Sequence, residues 1–281
     1  MTVALSHAAT HGALSPGQQG FVPNTAQVPN MVFSREGATH MTTDLKSLKR
    51  DLALAHRLLV DQGAMDAFGH VSVRHPDRPD RFLLPVAGAP SRVTPDDIIE
   101  YDMNAEPVEP TPAGLFSERI IHSAIFRARP DVGAVCHHHS PAIMPFAQTG
   151  ASLKPSCQTG AAMGAQVPYW DSRDEFGDTR LLVVTQAEGD SLARALGPWW
   201  TVLMRRHGAT VAGRDLHECI FRTVHGCADA ASQIRAAALG PVQVLSEQEQ
   251  NLAGTLRPDP IMRCWSHWTA VMNPVLALPD A

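Results

Sequence analysis

Several common devices are missing from this chain of 281 residues. Its five cysteines, Cys136, Cys157, Cys219, Cys227 and Cys264, are odd in number, scattered and free of any Cys-x-x-Cys pair. A disulfide framework is thereby excluded, and reduced thiols in a cytoplasmic setting are expected. No block of lysine or arginine stands out and the formal net charge is only -5. Neither nucleic acid nor an anionic membrane surface is expected as a partner. No apolar run approaches the length of a membrane span, and no basic patch followed by an apolar run marks an export signal. A small molecule remains as the expected partner. Hydrophobic residues make up 44% of the chain, ample for one large core.

Three segments are read from the pattern. Residues 1–42 carry only Arg35 and Glu36 as charges and show no apolar period, so they form a tail or an arm that wraps a neighbouring subunit. Residues 43–240 form the folded domain, and residues 241–281, with Trp265 and Trp268, a C-terminal tail. Leu45, Leu48, Leu52, Ala55 and Leu59 fall on one helical stripe, capped by Thr42 or Thr43 and ended by Gly63. Phe68–Arg74 alternates like a strand, 76–80 is turn chemistry, and Arg81–Pro85 returns as a hairpin partner. Thr94–Tyr101 reads as a helical turn running into a strand. Ser117–Arg129 is a second helix with Ser117 as N-cap and Ile121, Ala124, Ile125 and Ala128 buried. Further along come a short helix near 141–148, a buried strand at Leu181–Thr185, a helix at 188–197 and a strand at Trp200–Met204. A long helix opened by a capping box at Asp215 and Glu218 follows, burying Ile220, Val224, Cys227, Ala231 and Ile234. Helices and strands alternate, so the fold class is α/β with a central sheet covered by helices.

The chemistry gathers at Asp131–Pro141, which reads as a buried strand ending in His137, His138 and His139. Alternation along a strand puts His137 and His139 on one face and His138 on the other. Two imidazoles so placed can chelate one cation. A catalytic metal site takes about three protein ligands and keeps one position open. His207 is the best third ligand, because Gly208 behind it lets the backbone turn into the site. Imidazole donors suit Zn²⁺ first, with Mn²⁺, Co²⁺ or Fe²⁺ possible. Cys136 points away from the ligand face and has no evident base. By itself Glu118 reads as a carboxylate favoured by the dipole of the helix it opens.

Ser117-Glu118 followed by His122, then Arg129-Pro130-Asp131, His137-x-His139 and His207-Gly208, in this order and spacing, resembles the class II aldolase/adducin family over roughly Thr43 to Leu239. The resemblance implies a three-layer α/β/α fold with a central, largely antiparallel sheet. It also implies a divalent metal on His137, His139 and His207, and proton transfer by Glu118. A homotetramer with active sites between subunits is implied as well. Adducin-like members of the family lack the metal ligands, which this chain keeps, so an enzyme is favoured over a scaffold.

Departures from the sugar-phosphate aldolase pattern point to the branch. The phosphate loop Gly-Asn-x-Ser reads Gly69-His70-Val71-Ser72, the Thr-Gly turn falls near Leu84–Gly88 without its Thr, and the Ser-Ser pair is Phe116-Ser117. A phosphate dianion is poorly satisfied by such a set. The run Asp66–Pro76 with Arg81–Pro85 is instead similar to dihydroxyphthalate-type decarboxylases, which act on hydroxylated aromatic and ring-derived acids. A carboxy-lyase for an aromatic carboxylate is the expected activity, with aldol cleavage as the alternative. His70, Ser72 and Arg74 would then bind substrate, with His70 and Arg74 equally readable as polar strand residues. His122 would orient the acid or a ligand, or make a plain structural hydrogen bond. Trp265 and Trp268 would either close over a ring substrate or pack the tail onto the core.

Overall fold

The computed structural model describes residues 44–278, so the expected arm over 1–42 and the caps at Thr42 and Thr43 lie outside the described residues. Helix α1 (Leu45–Asp61) begins on Asp44, whose side chain accepts a bond from the Lys46 amide. Strands β1 (His70–Arg74) and β2 (Arg81–Pro85) form the expected antiparallel hairpin, with Val73 opposite Leu83. A short 3₁₀ turn closed by a capping box between Thr94 and Asp97 leads into β3 (Ile98–Asp102). Helix α2 (Arg119–Ala128) precedes β4 (Ala134–His138), and α3 (Met144–Thr149) follows it. Strand β5 (Tyr169–Trp170), helices α4 (Arg173–Phe176) and α5 (Gln186–Leu196), and the hairpin β6 (Thr201–Met204) and β7 (Gly208–Gly213) complete the sheet side. The chain then runs through α6 (Leu216–Ala236), α7 (Glu247–Ala253) and α8 (Pro258–Val271).

The strands form one sheet in the order β3-β2-β1-β4-β7-β6-β5. Every pairing is antiparallel except β5 with β6. Side-chain alternation gives the sheet two apolar faces. Val71, Val73, Cys136, Leu203 and Val211 pack toward α1, α6 and α8, while Phe82, Leu84, Val135, Val202 and Met204 pack toward α2 and α5. The expected three-layer α/β/α architecture with a largely antiparallel sheet is thus the observed one.

Two expectations need correction. Leu181–Thr185 is not a strand, because its amides bond to carboxylates instead of a neighbouring strand: Val183 N donates to Glu118, and Val184 N and Thr185 N donate to Glu188. Thr185 is the N-cap of α5 in a reciprocal capping box with Glu188, a local signal that overrides the β-branched run. The C-terminal segment packs onto the core, one of the two arrangements expected for its tryptophans: Ile261, Trp265 and Trp268 of α8 enter the cluster that contains Phe221 and Val224 of α6. The two tryptophans pack rather than close over a ligand. Glu218 does not return a bond to the Asp215 amide; it accepts from Arg214 and from the buried Arg222.

Candidate active site

β4 lies at the centre of the sheet, and its C-terminal end carries the histidine run. His137 shares the α2 face with Val135, and opposite it in register stand His70 of β1 and Thr210 of β7. His138 faces the other way and is buried, its Nδ1 accepting from the Ser140 amide. Cys136 points to the α6 side among buried residues, and burial pushes its thiol up, so it stays protonated and inert.

The turn between β6 and β7 delivers His207. Arg206 adopts a left-handed conformation with φ of 54°, and its amide donates to the Ala147 carbonyl. Arg205 pairs with Asp171 at 3.0 Å while Arg206 is exposed. At Gly208 a Cβ would overlap the His138 carbonyl and meet the His139 ring. The glycine is needed for close approach of β7 to the end of β4, and the left-handed turn falls two residues earlier.

Glu118 occupies the N-cap of α2, the place expected for Ser117, but makes no capping bond. Its Oε1 accepts from the Val183 amide at 2.9 Å, which aims Oε2 at the histidines. Oε2 lies 3.5 Å from His207 Nε2 and 3.7 Å from His137 Nε2. Ligand atoms of Glu118, His137, His139 and His207 all fall within 4.8 Å of one another. The carboxylate is 7% exposed. The backbone of Val183 is the orienting group that sequence reading missed, since an amide donor carries no side-chain signature.

Hydrogen bonding assigns the tautomer of His137. Its Nδ1 lies 3.1 Å from the Ala209 carbonyl and 3.2 Å from the Thr210 hydroxyl. A carbonyl only accepts, so Nδ1 carries the proton and Nε2 presents a lone pair. That lone pair faces His139 Nε2 at 3.0 Å. Burial, and then the neighbouring imidazoles, hold His137 well below the usual histidine range and lower His139 as well. Neutral imidazoles with lone pairs converging beside a carboxylate are what a divalent cation needs. Two nitrogens about 2.1 Å from a tetrahedral ion sit roughly 3.4 Å apart, so the donor set fits such a cation. His207 Nδ1 is enclosed without a partner.

The expected substrate residues are placed less uniformly. His70 is 4% exposed, with its ring 5.2 Å from His137 and 4.7 Å from Phe116. Ser72 is fully buried and bonds His122, so it has no direct access to a substrate. Arg74 is turned away: it donates to the carbonyls of Val132, Pro79, Phe126 and Arg129, and its guanidinium lies over the Phe126 ring. Four of its five N–H donors are taken by backbone carbonyls, and a carboxylate-binding role is withdrawn. His122 bonds His70 and Ser72 rather than Glu118 or a metal-facing histidine.

Comparison with known proteins identifies the family and the fold. Residues 50–232 match the family model described as Class II Aldolase and Adducin N-terminal domain. Decarboxylase tropJ of Talaromyces stipitatus is 33% identical over 230 residues, covering 73% of this chain and 86% of that protein. Decarboxylase NovR of Streptomyces niveus is 29% identical over 209 residues, 72% of this chain and 74% of its own. Among solved structures, an aldolase II superfamily protein from Pseudomonas syringae superposes with a TM-score of 0.70 at 22% identity, over 82% of this chain and 94% of that one. The chain belongs to the class II aldolase and adducin family.

Proposed function

We propose that this protein is a metal-dependent, non-oxidative decarboxylase of a hydroxylated aromatic or ring-derived carboxylic acid. The observation that carries the reading is the wall of the site next to the histidine cluster. It is made of Phe116 and a buried His70 whose charge is suppressed by burial, and the nearby Arg74 is spent on carbonyls. A planar, weakly charged ring suits such a wall, whereas a phosphate dianion lacks partners there. The relatives named decarboxylases, at 33% and 29% identity, support a lyase of the carboxy-lyase kind.

A divalent cation held by His137, His139 and His207, Zn²⁺ first and Mn²⁺, Co²⁺ or Fe²⁺ on the same donors, would supply Lewis acidity to the substrate oxygen where charge collects. Phe116 packs the ring and keeps water from its face. As the bond to the carboxylate breaks, CO₂ leaves without the bonding pair, which stays on the ring and spreads to its hydroxyl oxygen. Glu118 Oε1 is held by the Val183 amide, so Oε2 is the atom that carries the proton and delivers it to the vacated ring carbon. Aldol cleavage needs the same charge stabilisation, which makes a class II aldolase the competing reading.

The subunit arrangement proposed is a homotetramer with active sites between subunits, checked by sedimentation. A cytoplasmic location is proposed from five free thiols, and no described helix is long and apolar enough to cross a membrane. The activity is tested by following CO₂ from a panel of ortho-hydroxylated benzoates and phthalates beside sugar phosphates, with metal stripped and restored, and dioxygen monitored. Metal-dependent CO₂ without oxygen uptake is expected. Cleavage of a sugar phosphate with the aromatic acids untouched would overturn the proposal in favour of an aldolase.

A further inference from the structure

A buried hydrogen-bonded line runs from the sheet interior to the site. Ser72 Oγ lies 2.6 Å from His122 Nδ1, and His122 Nε2 lies 2.6 Å from His70 Nδ1. Ser72 and His122 are fully enclosed. Both rings are buried and their mutual contact and the serine hydroxyl are the hydrogen bonds they make, with no carboxylate among the partners, so each is a neutral imidazole with one proton. Two directions of donation are then available.

In one, His70 Nδ1–H donates to His122, His122 Nδ1–H donates to Ser72, and the serine hydrogen needs another acceptor. Among the described residues Ser72 has no other side-chain hydrogen bond, so this direction orphans a buried donor. In the other, Ser72 O–H donates to His122 Nδ1, His122 Nε2–H donates to His70 Nδ1, and His70 keeps its proton on Nε2. Only this direction satisfies every enclosed donor. Among the described residues His70 Nε2 has no hydrogen-bond partner, and it is not one of the enclosed unpartnered atoms.

We infer that Ser72 and His122 are positioning residues that lock His70 in the Nε2–H tautomer, making it a neutral donor to an oxygen of the substrate. The inference deepens the proposed function by naming how its substrate is recognised. Between Phe116 and His137, a fixed neutral donor matches a hydroxyl, carbonyl or carboxylate oxygen on a flat ring. It discriminates by direction rather than by charge, because a donor that cannot become an acceptor leaves an analogue lacking that oxygen unsatisfying to the site. His122 touches no reacting atom in this scheme; it acts through His70.

The test uses the full-length protein with histidine side chains labelled in nitrogen-15. Wild type is expected to show His70, assigned by loss of its signals in His70→Gln, protonated at Nε2. In Ser72→Ala the lock is released, and His70 should populate both tautomers. With the acid that gives most CO₂, that variant should raise KM about tenfold or more while keeping bound metal. Ser72→Thr, which retains the hydroxyl on a strand position, should restore both the signal and KM. His70 found protonated at Nδ1 in wild type, or an unchanged tautomer and KM in Ser72→Ala, would overturn the inference. If no aromatic acid is turned over, the tautomer signals still decide the relay, so failure of the decarboxylase reading is separable from failure of this one.

Discussion

His137 Nδ1 sits 3.1 Å from the carbonyl oxygen of Ala209, the residue on the neighbouring strand that stands opposite His138. A backbone acceptor on β7 thus fixes which nitrogen of a β4 imidazole faces the site, and it does so before any ion is present. The same pairing that builds the sheet sets the tautomer of one member of the histidine cluster.

Removing one ligand should empty the site. His137→Ala and His139→Ala are each expected to weaken divalent metal binding by more than the roughly 10–100-fold that loss of a ligand's hydrogen-bond partner costs. Metal content by elemental analysis and the circular dichroism spectrum check this together. Metal retained at the wild-type level in both variants would remove these histidines from the ligand set.

Glu118→Gln separates proton transfer from metal holding. Glutamine keeps an oxygen for the Val183 amide, so the side chain should stay in place. Turnover should fall by about 10²–10⁴ with metal content unchanged. Single-turnover assays in deuterated water, reading label in the product ring, report the same step directly. Normal turnover would remove Glu118 from the mechanism.

Acid should unfold the protein earlier than carboxylates alone would cause. His56 donates from Nδ1 to the Leu52 carbonyl and accepts at Nε2 from the Val71 amide, and burial pushes it down to about 4. Its folded value lies below the unfolded one near 6.5. Above that pH neither state is protonated and stability is unaffected. Below it the unfolded chain takes up the proton first, so stability falls as pH drops from about 6.5 to 4, by on the order of 3 kcal/mol from this residue. Urea midpoints across that window check it. His56→Gln, which preserves one donor and one acceptor, should flatten the slope by up to about one proton.

The C-terminal helix should behave as core. Trp265 and Trp268 are 8% and 9% exposed and lie in the cluster beneath α6. Trp268→Ala is expected to lower stability by about 3–5 kcal/mol, read as a shifted urea midpoint with unchanged slope. A loss under about 0.5 kcal/mol, the range of ordinary surface changes, would return α8 to the status of a tail.

What could be read from residues alone follows from period and spacing. His137 and His139 share a face because strands alternate, and the α1 stripe from Leu45 to Leu59 is visible because helices repeat. His207 was found through the glycine behind it, although the reason proved to be clearance for β7 against His138. The losses share one cause, a partner distant in the chain. Arg74 looked like a ligand for anions until the carbonyls of Val132, Phe126 and Arg129 claimed its donors. Leu181–Thr185 has the composition of a strand, yet two carboxylates, Glu118 and Glu188, take its amides. Nothing in the spacing of Ser72 and His122 announces a hydrogen bond between them, because only the packing of α2 on β1 brings them together.

The convergence of His137 and His139 from the end of β4, His207 from the β6–β7 turn and Glu118 from the start of α2 has a kinetic consequence. Those pieces meet only after distant strands have paired and a helix has docked across them, contacts of high loop-closure cost. A cation that needs all of them finds no binding site in the transition state if the turn or α2 is still loose. It should then leave the refolding rate almost unchanged and slow unfolding instead, placing nearly all of its stabilisation in the lifetime of the native enzyme.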